Sequence, residues 1–336
     1  MTATVMSRRT LSDVVNDSDG RVVCLAMSKD PNAKVTILLF APGEDHPSYA
    51  AKVPTTAAAA GRVRHEAMVL ASLDRERLGA ISGTIPEVAE VVEHTGWPVL
   101  VTTALPGRIM LASYHQWRHT ARPLSVRDDF EAAGRWLTEF QRETVMPDTN
   151  LAGMTDGVAG ELARRFGDDS FTTGDVEALA TLHDRLDGHQ VGRGLVHGDF
   201  WPGNLLMTDG RVTGVIDWES SRPDGLLTRD LARFAIAYSL YLDRHTRRGR
   251  RVPGHAGLRA GPWGAGLEYA MKGSGWYPEL VRQFMAEGLQ RLGVDPSCAD
   301  DVIRAEVACI AAEADDPEFA EGHLHLLRRL FRAGAW

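Results

Sequence analysis

Gly194-Leu-Val-His-Gly-Asp-Phe-Trp-Pro-Gly-Asn-Leu-Leu-Met-Thr-Asp-Gly-Arg-Val-Thr-Gly-Val-Ile-Asp-Trp-Glu219 is the densest run of chemistry in the chain. Leu195 and Val196 lead in as a short apolar strand, and Asp199 follows at once. Asn204 comes five residues later. Leu205-Leu206-Met207, a Thr-Asp-Gly turn at 208–210 and a second strand from Val212 to Ile216 then deliver Asp217. A strand, a loop with one acid and a hairpin that returns a second acid to the same end form a layout for metal and phosphate. Magnesium takes hard oxygen ligands, commonly one or two carboxylates completed by phosphate and water. Asn204 and Asp217 are the candidate metal ligands, which leaves Asp199 to accept a hydroxyl proton. Two strands with chance acids would require acid, amide, acid and strand context to coincide.

His197-Gly198-Asp199 with Asn204, followed by Ile216-Asp217-Trp218-Glu219, resembles the catalytic segment of the aminoglycoside phosphotransferase and choline kinase-like enzymes. These are small-molecule relatives of the protein kinases, whose template reads H-R-D-x-x-x-x-N followed by a metal-binding Asp. Gly198 stands where protein kinases have Arg, and Trp218 stands where they have Phe. The Ala-Pro-Glu segment of that template is absent. The resemblance implies an α+β, bilobal protein-kinase-like fold. Residues 1–105 would be a small antiparallel-sheet lobe that binds nucleotide, and residues 106–336 a larger, mainly helical lobe for catalysis and substrate. It also implies ATP or GTP as phosphoryl donor and Mg2+ as cofactor. His197 would support the site, as would Asp230 from below the catalytic loop, although Pro223-Asp-Gly225 replaces the family's usual Gly-Asp-Pro turn.

Working back to the start, 336 residues with 44% hydrophobic and 24% charged content describe a globular chain with a substantial core. No apolar run is long enough to span a membrane. The N-terminus lacks the apolar centre of a signal peptide, and three cysteines without metal spacing fit a reducing, cytoplasmic setting. The net charge is −8, while residues 218–336 hold sixteen acids and sixteen bases, so the excess lies in residues 1–217. No basic stripe with interleaved aromatics supports nucleic-acid binding.

In the first lobe, residues 21–27, 35–40, 49–53, 86–92 and the run from Pro98 read as strands. The polar turn Ser28 to Ala33 has no glycine; the resemblance places it over the phosphates, with contact through backbone N–H groups or Ser28, and an ordinary hairpin turn explains it about as well. The chain has 33 arginines and only four lysines: Lys29, Lys34, Lys52 and Lys272. Such scarcity suggests that lysine is kept where a compact charge on a slim stem is required. A helix from Arg62 to Leu73 carries Glu66 near its start, and a strand lysine held by a helix glutamate is the ion pair of the kinase template. The resemblance makes Lys52 the α/β-phosphate contact and Thr103, Ala104 and Leu105 the hinge whose backbone grips adenine.

Beyond Gly107 the pattern turns helical. Ser125-Val-Arg-Asp128 reads as a capping box, followed by an apolar face at Val126, Phe130, Ala133, Leu137 and Phe140. Tyr114 to His119 reads as a helix with a half-buried Trp117, or as a cleft lining. Arg244 to Arg251 is a basic run, a solvated loop or else a lid. The balanced C-terminal half, its arginine cluster and the absence of an acidic terminus count against a strongly cationic substrate. Trp201 and Trp218 are candidates to stack on a sugar or heterocycle. The expected activity is ATP-dependent phosphorylation of a hydroxyl on a small sugar-bearing molecule, with an inactivated antibiotic or other natural product as the leading case. The alternatives are a metabolite kinase acting on a sugar, amino sugar or choline-like alcohol, or a nucleotide-binding protein without catalysis.

Overall fold

The computed structural model describes residues 12–13, 15, 21–25, 32–167 and 170–332. The chain divides into two compact units: Met1–Arg108 with Asn204–Ser221, and Ile109–Gly203 with Arg222–Trp336. The hairpin Leu205–Val215 thus belongs to the first unit, whereas the loop that carries Asp199 belongs to the second.

The first unit is built on a five-stranded antiparallel sheet: β1 (Val22–Cys24), β2 (Lys34–Phe40), β3 (Pro47–Pro54), β4 (Val88–His94) and β5 (Trp97–Thr103), in the order β1-β2-β3-β5-β4. β-Branched and aromatic residues favour such pleated, half-buried strands. Ala51, Val92, Val99 and Val101 pack into one core cluster. Side chains alternate along a strand, so Lys52 projects to the other side of the sheet from Ala51. Its register is fixed by pairing with Thr36 on β2 and Leu100 on β5.

Helix α1 runs from Ala57 to Ser72, five residues earlier than the sequence pattern implied. Alanine is the strongest helix former, so Ala57–Ala60 extends the helix forward to Thr56, whose side chain accepts the Ala59 N–H at 3.1 Å. Glu66 therefore sits in mid-helix rather than near the start, within the buried stripe Ala59, Val63, Ala67 and Leu70. The hairpin pairs Leu205–Thr208 with Arg211–Val215. Its two turn residues, Asp209 and Gly210, both have positive φ (49° and 71°), the twist-matched turn that joins adjacent strands. A Cβ on Gly214 would lie 2.9 Å from the Leu105 Cβ, so only glycine lets that hinge residue lie flat on the hairpin.

The second unit is mainly helical: α2 (Pro123–Thr144), α3 (Val158–Phe166), α4 (Thr173–Leu186), α5 (Thr228–Leu240), α6 (Ala265–Lys272), α7 (Trp276–Arg291), α8 (Ala299–Glu313) and α9 (Pro317–Arg332). The expected capping box at Ser125 does not form. Pro123 opens α2, Arg122 takes the cap position without a side-chain bond, and Ser125 lies inside the first turn. The apolar face on α2 is buried as its spacing implied. Tyr114 is buried and donates its O–H to the Tyr238 carbonyl at 3.0 Å, but Trp117 is 84% exposed in a turn rather than half-buried in a helix. A stacked series of rings, Phe140, Trp136 and Phe200, anchors the loop around Asp199. The basic run from Arg244 to Arg251 is largely solvent-exposed, with one bridge from Arg251 to Arg259. Among the described residues, no helix is long and apolar enough to cross a membrane.

Candidate active site

In the first unit, the strand lysine and the helix glutamate meet. Lys52 Nζ lies 2.6 and 2.7 Å from the two Glu66 oxygens and 2.7 Å from Asp217 Oδ1. The Trp218 backbone N–H donates to Glu66 Oε1 at 3.1 Å, so Glu66 ties α1 to the hairpin as well as to β3. Asp217 has φ 69° and ψ 62°, a left-handed conformation that is costly for a residue with a side chain. Such strain persists only where surrounding contacts enforce it, and it concentrates at functional sites. The kink takes Asp217 out of the strand direction, and its carboxylate meets Lys52.

Lys34, the first residue of β2, adds a second ammonium group. It is 3.3 Å from Asp217 Oδ1 and also pairs with Glu219 Oε2. The sequence pattern gives Lys34 no role and marks Glu219 only as the last residue of the quoted segment. The same scarcity of lysine that singled out Lys52 applied to Lys34. Burial alone would pull the Lys52 ammonium down, but Asp217 and Glu66 more than offset it and hold the group above its ordinary value. Burial likewise pushes Asp217 up, and Lys52 and Lys34 reverse this, leaving its carboxyl well below the usual range. Both therefore carry full charge at neutral pH.

Asn204 is 6% exposed, and its carbonyl accepts the Ile216 N–H at 3.0 Å. That bond closes the open end of the hairpin and sets Asn204 beside the residue that precedes Asp217. Glu66, Asp217 and Glu219 place carboxylate oxygens within 4.8 Å of one another. A donor set of hard oxygens, kept in check by two ammonium groups, fits a divalent cation of the magnesium type.

In the second unit, the loop that carries Asp199 is braced from below. The strand Gln190–Val196 runs into His197, which is fully buried. Asp230, near the start of α5, accepts the His197 N–H at 2.7 Å and the Gly198 N–H at 2.9 Å. The Asp199 N–H donates to His197 Nδ1 at 3.2 Å, so Nδ1 is the acceptor and any ring proton is on Nε2. Gly198 has φ 78°, which glycine adopts without steric cost. Burial pushes the Asp230 carboxyl above its ordinary value, against the pull of His197 and the two N–H donors. Asp230 makes both bonds although the turn before it, Pro223-Asp-Gly225, departs from the family's usual one.

The hinge candidates are partly committed elsewhere. The Thr103 N–H donates to the Glu87 carbonyl at 2.9 Å, the Ala104 N–H to the Ser48 carbonyl at 3.0 Å, and Thr103 Oγ1 accepts the Glu87 N–H at 3.0 Å. Ser28 and most of its turn lie outside the described residues.

A strand lysine paired to a helix glutamate, a kinked aspartate after a hairpin and a braced His-Gly-Asp loop together define a protein-kinase-like phosphotransferase. The chain belongs to the phosphotransferase enzyme family APH, whose family model matches residues 40–262. It is a small-molecule kinase that uses an alcohol group as acceptor. No curated protein sequence matches it. Its fold is similar to that of a thermostable mutant of aminoglycoside phosphotransferase APH(4)-Ia in ternary complex with ADP and hygromycin B. The TM-score is 0.60 at 13% identity, covering 97% of this chain and 98% of that one. The streptomycin–ATP ternary complex of APH(2")-IIa is similar with a TM-score of 0.53 at 16% identity, covering 96% and 97%. ADP-bound APH(2'')-Ib gives 0.52 at 17%, covering 95% and 97%.

Proposed function

We propose that the chain is an ATP-dependent O-phosphotransferase that modifies a hydroxyl of a small sugar-bearing molecule, with an antibiotic or other natural product as the leading substrate. The observation that carries this reading is the Lys52–Glu66–Asp217 cluster, which joins a strand lysine, a helix glutamate and the aspartate after the hairpin as the kinase template does. In this reading Lys52 steadies the α- and β-phosphates, and Glu66 keeps Lys52 extended. The Thr103 carbonyl and the Leu105 N–H present the adenine-binding edge, and Ser28 contributes to the phosphate turn. Asn204 and Asp217 would hold Mg2+, with Lys34 and Glu219 balancing the charge around them. When bound there, the ion would supply positive charge to offset that of the phosphates. Asp199 orients the acceptor hydroxyl and takes its proton late in transfer, on a loop kept in place by His197 and Asp230. The transition state is loose, so alignment and charge neutralisation supply most of the acceleration.

GTP in place of ATP would use the same groups. The reading places the enzyme in the cytoplasm, where the nucleotide is available, and gives it no nucleic-acid or membrane partner. Screening ATP consumption against sugars, nucleosides and antibiotics tests it. Acceptor-dependent turnover that vanishes in Asp199→Asn supports the assignment, and unchanged turnover in that variant removes Asp199 from its role.

A further inference from the structure

Next to Asp199 in the second unit is a cavity of about 220 Å³. One wall is a single face of α5, where Arg233, Ile236, Ala237 and Leu240 recur at helical spacing, continued by Tyr241. The rest of the lining is Ile310 on α8, Phe319 and His323 on α9, and Trp201 from the loop that carries Asp199. Asp199 is the one carboxylate in this lining. Once it is assigned to the reacting hydroxyl, no lining acid is left to receive an ammonium group.

The charge behind the wall has the opposite sign. Arg233 pairs with Glu306 at 2.9 Å, and Glu306 is shared with Arg229 at 3.0 Å. Arg229 also reaches Glu313 at 2.9 Å, which Arg222 holds at the same distance. Three guanidinium groups face two carboxylates, so the cluster keeps one positive charge in excess. Two lining residues also carry a buried polar atom without a partner among the described residues. His323 is fully buried, and its Nδ1–H donates to the Phe319 carbonyl at 2.8 Å. Its Nε2 lone pair then has no partner among the described residues, and neither does Arg233 Nε–H. Burial pushes the His323 imidazole down to about 3, so it is a neutral acceptor at any working pH. Buried polar atoms are normally satisfied; these two are also shielded from solvent, so a ligand atom reaches them only with a small shift of the Arg233 and His323 side chains.

We propose that this cavity is the acceptor pocket and that it selects an uncharged or acidic sugar-like ring, with a hydroxyl or N–H donated to His323 Nε2, an oxygen accepting from Arg233, and the ring's apolar face against Trp201 and Tyr241. The inference rests on the phosphotransferase reading above and deepens it. The volume suits one ring with its substituents. A polycationic aminoglycoside would bring several ammonium groups to a wall with an excess positive charge and no free acid, a mismatch that selects against it.

Calorimetric titration of the full chain and initial rates of ATP consumption test this on a matched panel of neutral glycosides and nucleosides, uronic acid glycosides, and aminoglycosides. The uncharged and acidic members should exceed the aminoglycosides in kcat/KM by about 100-fold. Equal or better use of aminoglycosides overturns the proposal, as does a panel in which no uncharged or acidic member binds. Ala237→Asp places a carboxylate on the partly exposed wall and should move the preference toward cationic acceptors by about tenfold; an unchanged preference overturns the assignment of this cavity. Arg233→Lys keeps the charge and should restore most of the acidic-acceptor KM lost in Arg233→Met, whose fold is checked by its thermal midpoint; equal KM values for the two variants also overturn it. The two readings fail separately. Binding of neutral glycosides without ATP consumption by any acceptor removes the phosphotransferase reading alone, whereas ATP consumption that favours aminoglycosides removes the pocket assignment alone.

Discussion

Asp217, whose side chain is 30% exposed, and the buried Asp230 are two partly or fully desolvated carboxylates that are compensated in opposite ways. Asp217 ends the hairpin in a strained left-handed conformation, and two ammonium groups, those of Lys52 and Lys34, compensate it. Asp230 is 1% exposed, and two backbone N–H groups of the catalytic loop compensate it. The first is held by point charges on long stems, the second by fixed dipoles. Charge-held carboxylates can exchange one cation for another, as a nucleotide–metal station requires. A dipole-held carboxylate cannot let go without leaving two buried donors unpaired, as suits a permanent brace. The hairpin end is thus built to be reorganised by ligand, and the loop beneath Asp199 is built to stay.

If that contrast is right, damage to the two ends separates cleanly. The largest effect belongs to the braced loop's own cargo. Asp199→Asn keeps the size and the backbone bonds but removes the proton acceptor, and kcat should fall by about 10³-fold or more. Nucleotide affinity, set by the other unit's residues, should change by less than about twofold. Steady-state rates and calorimetry with ATP check both halves, and a parallel loss of ATP affinity would break the separation.

Removing the brace should appear as instability. Asp230→Ala leaves the His197 and Gly198 N–H groups buried without an acceptor, at about 1–3 kcal/mol each. Chemical denaturation should therefore show a loss of about 2–5 kcal/mol, and Asp230→Asn, which keeps one acceptor oxygen, should lose less. A stability equal to wild type in Asp230→Ala would mean that the loop holds itself.

At the charge-held end, the loss should depend on the cation. Asp217→Ala should weaken nucleotide binding by about tenfold or more when magnesium is present. Without magnesium the variant and the wild type should differ little. Calorimetry in the two buffers gives the answer; an equal loss in both would show that Asp217 serves Lys52 rather than a metal ion.

The parts visible in the sequence were those with short-range signatures. Asp199, Asn204 and Asp217 lie within nineteen consecutive residues, with the hairpin turn between the last two. Lys52 stood out because lysine is rare here, and Glu66 because a helix follows the strand. The position of Glu66 within its helix was misjudged because a four-alanine run carries no amphipathic signal, although it is the strongest helix former present. Lys34 has no local signature beyond being one of four lysines; only the folded sheet brings it to Asp217 and Glu219. Trp117 was expected to be half-buried by residue type alone, but a turn at the end of a short helix leaves it exposed. The acceptor cavity was beyond local reading altogether, since Arg233 and His323 are ninety residues apart and lie on helices whose apolar spacing only announces a core.

The smallest effect is also the most direct comparison of the two carboxylates. The Asp217 carboxyl is held below its unfolded value, so its contribution to stability is complete above about pH 4 and disappears as pH falls through the folded value. The Asp230 carboxyl is raised, so its contribution is complete below about pH 4 and diminishes as pH rises through the folded value. Each unit of displacement is worth about 1.4 kcal/mol. Urea denaturation of wild type, Asp217→Asn and Asp230→Asn between about pH 3 and 8 should give differences of opposite slope. The wild-type advantage over Asp217→Asn should shrink toward acid, and the advantage over Asp230→Asn should shrink toward neutral pH. Slopes of the same sign would mean that the two acids share one electrostatic environment, and that the distinction between an exchangeable cation station and a fixed brace does not hold.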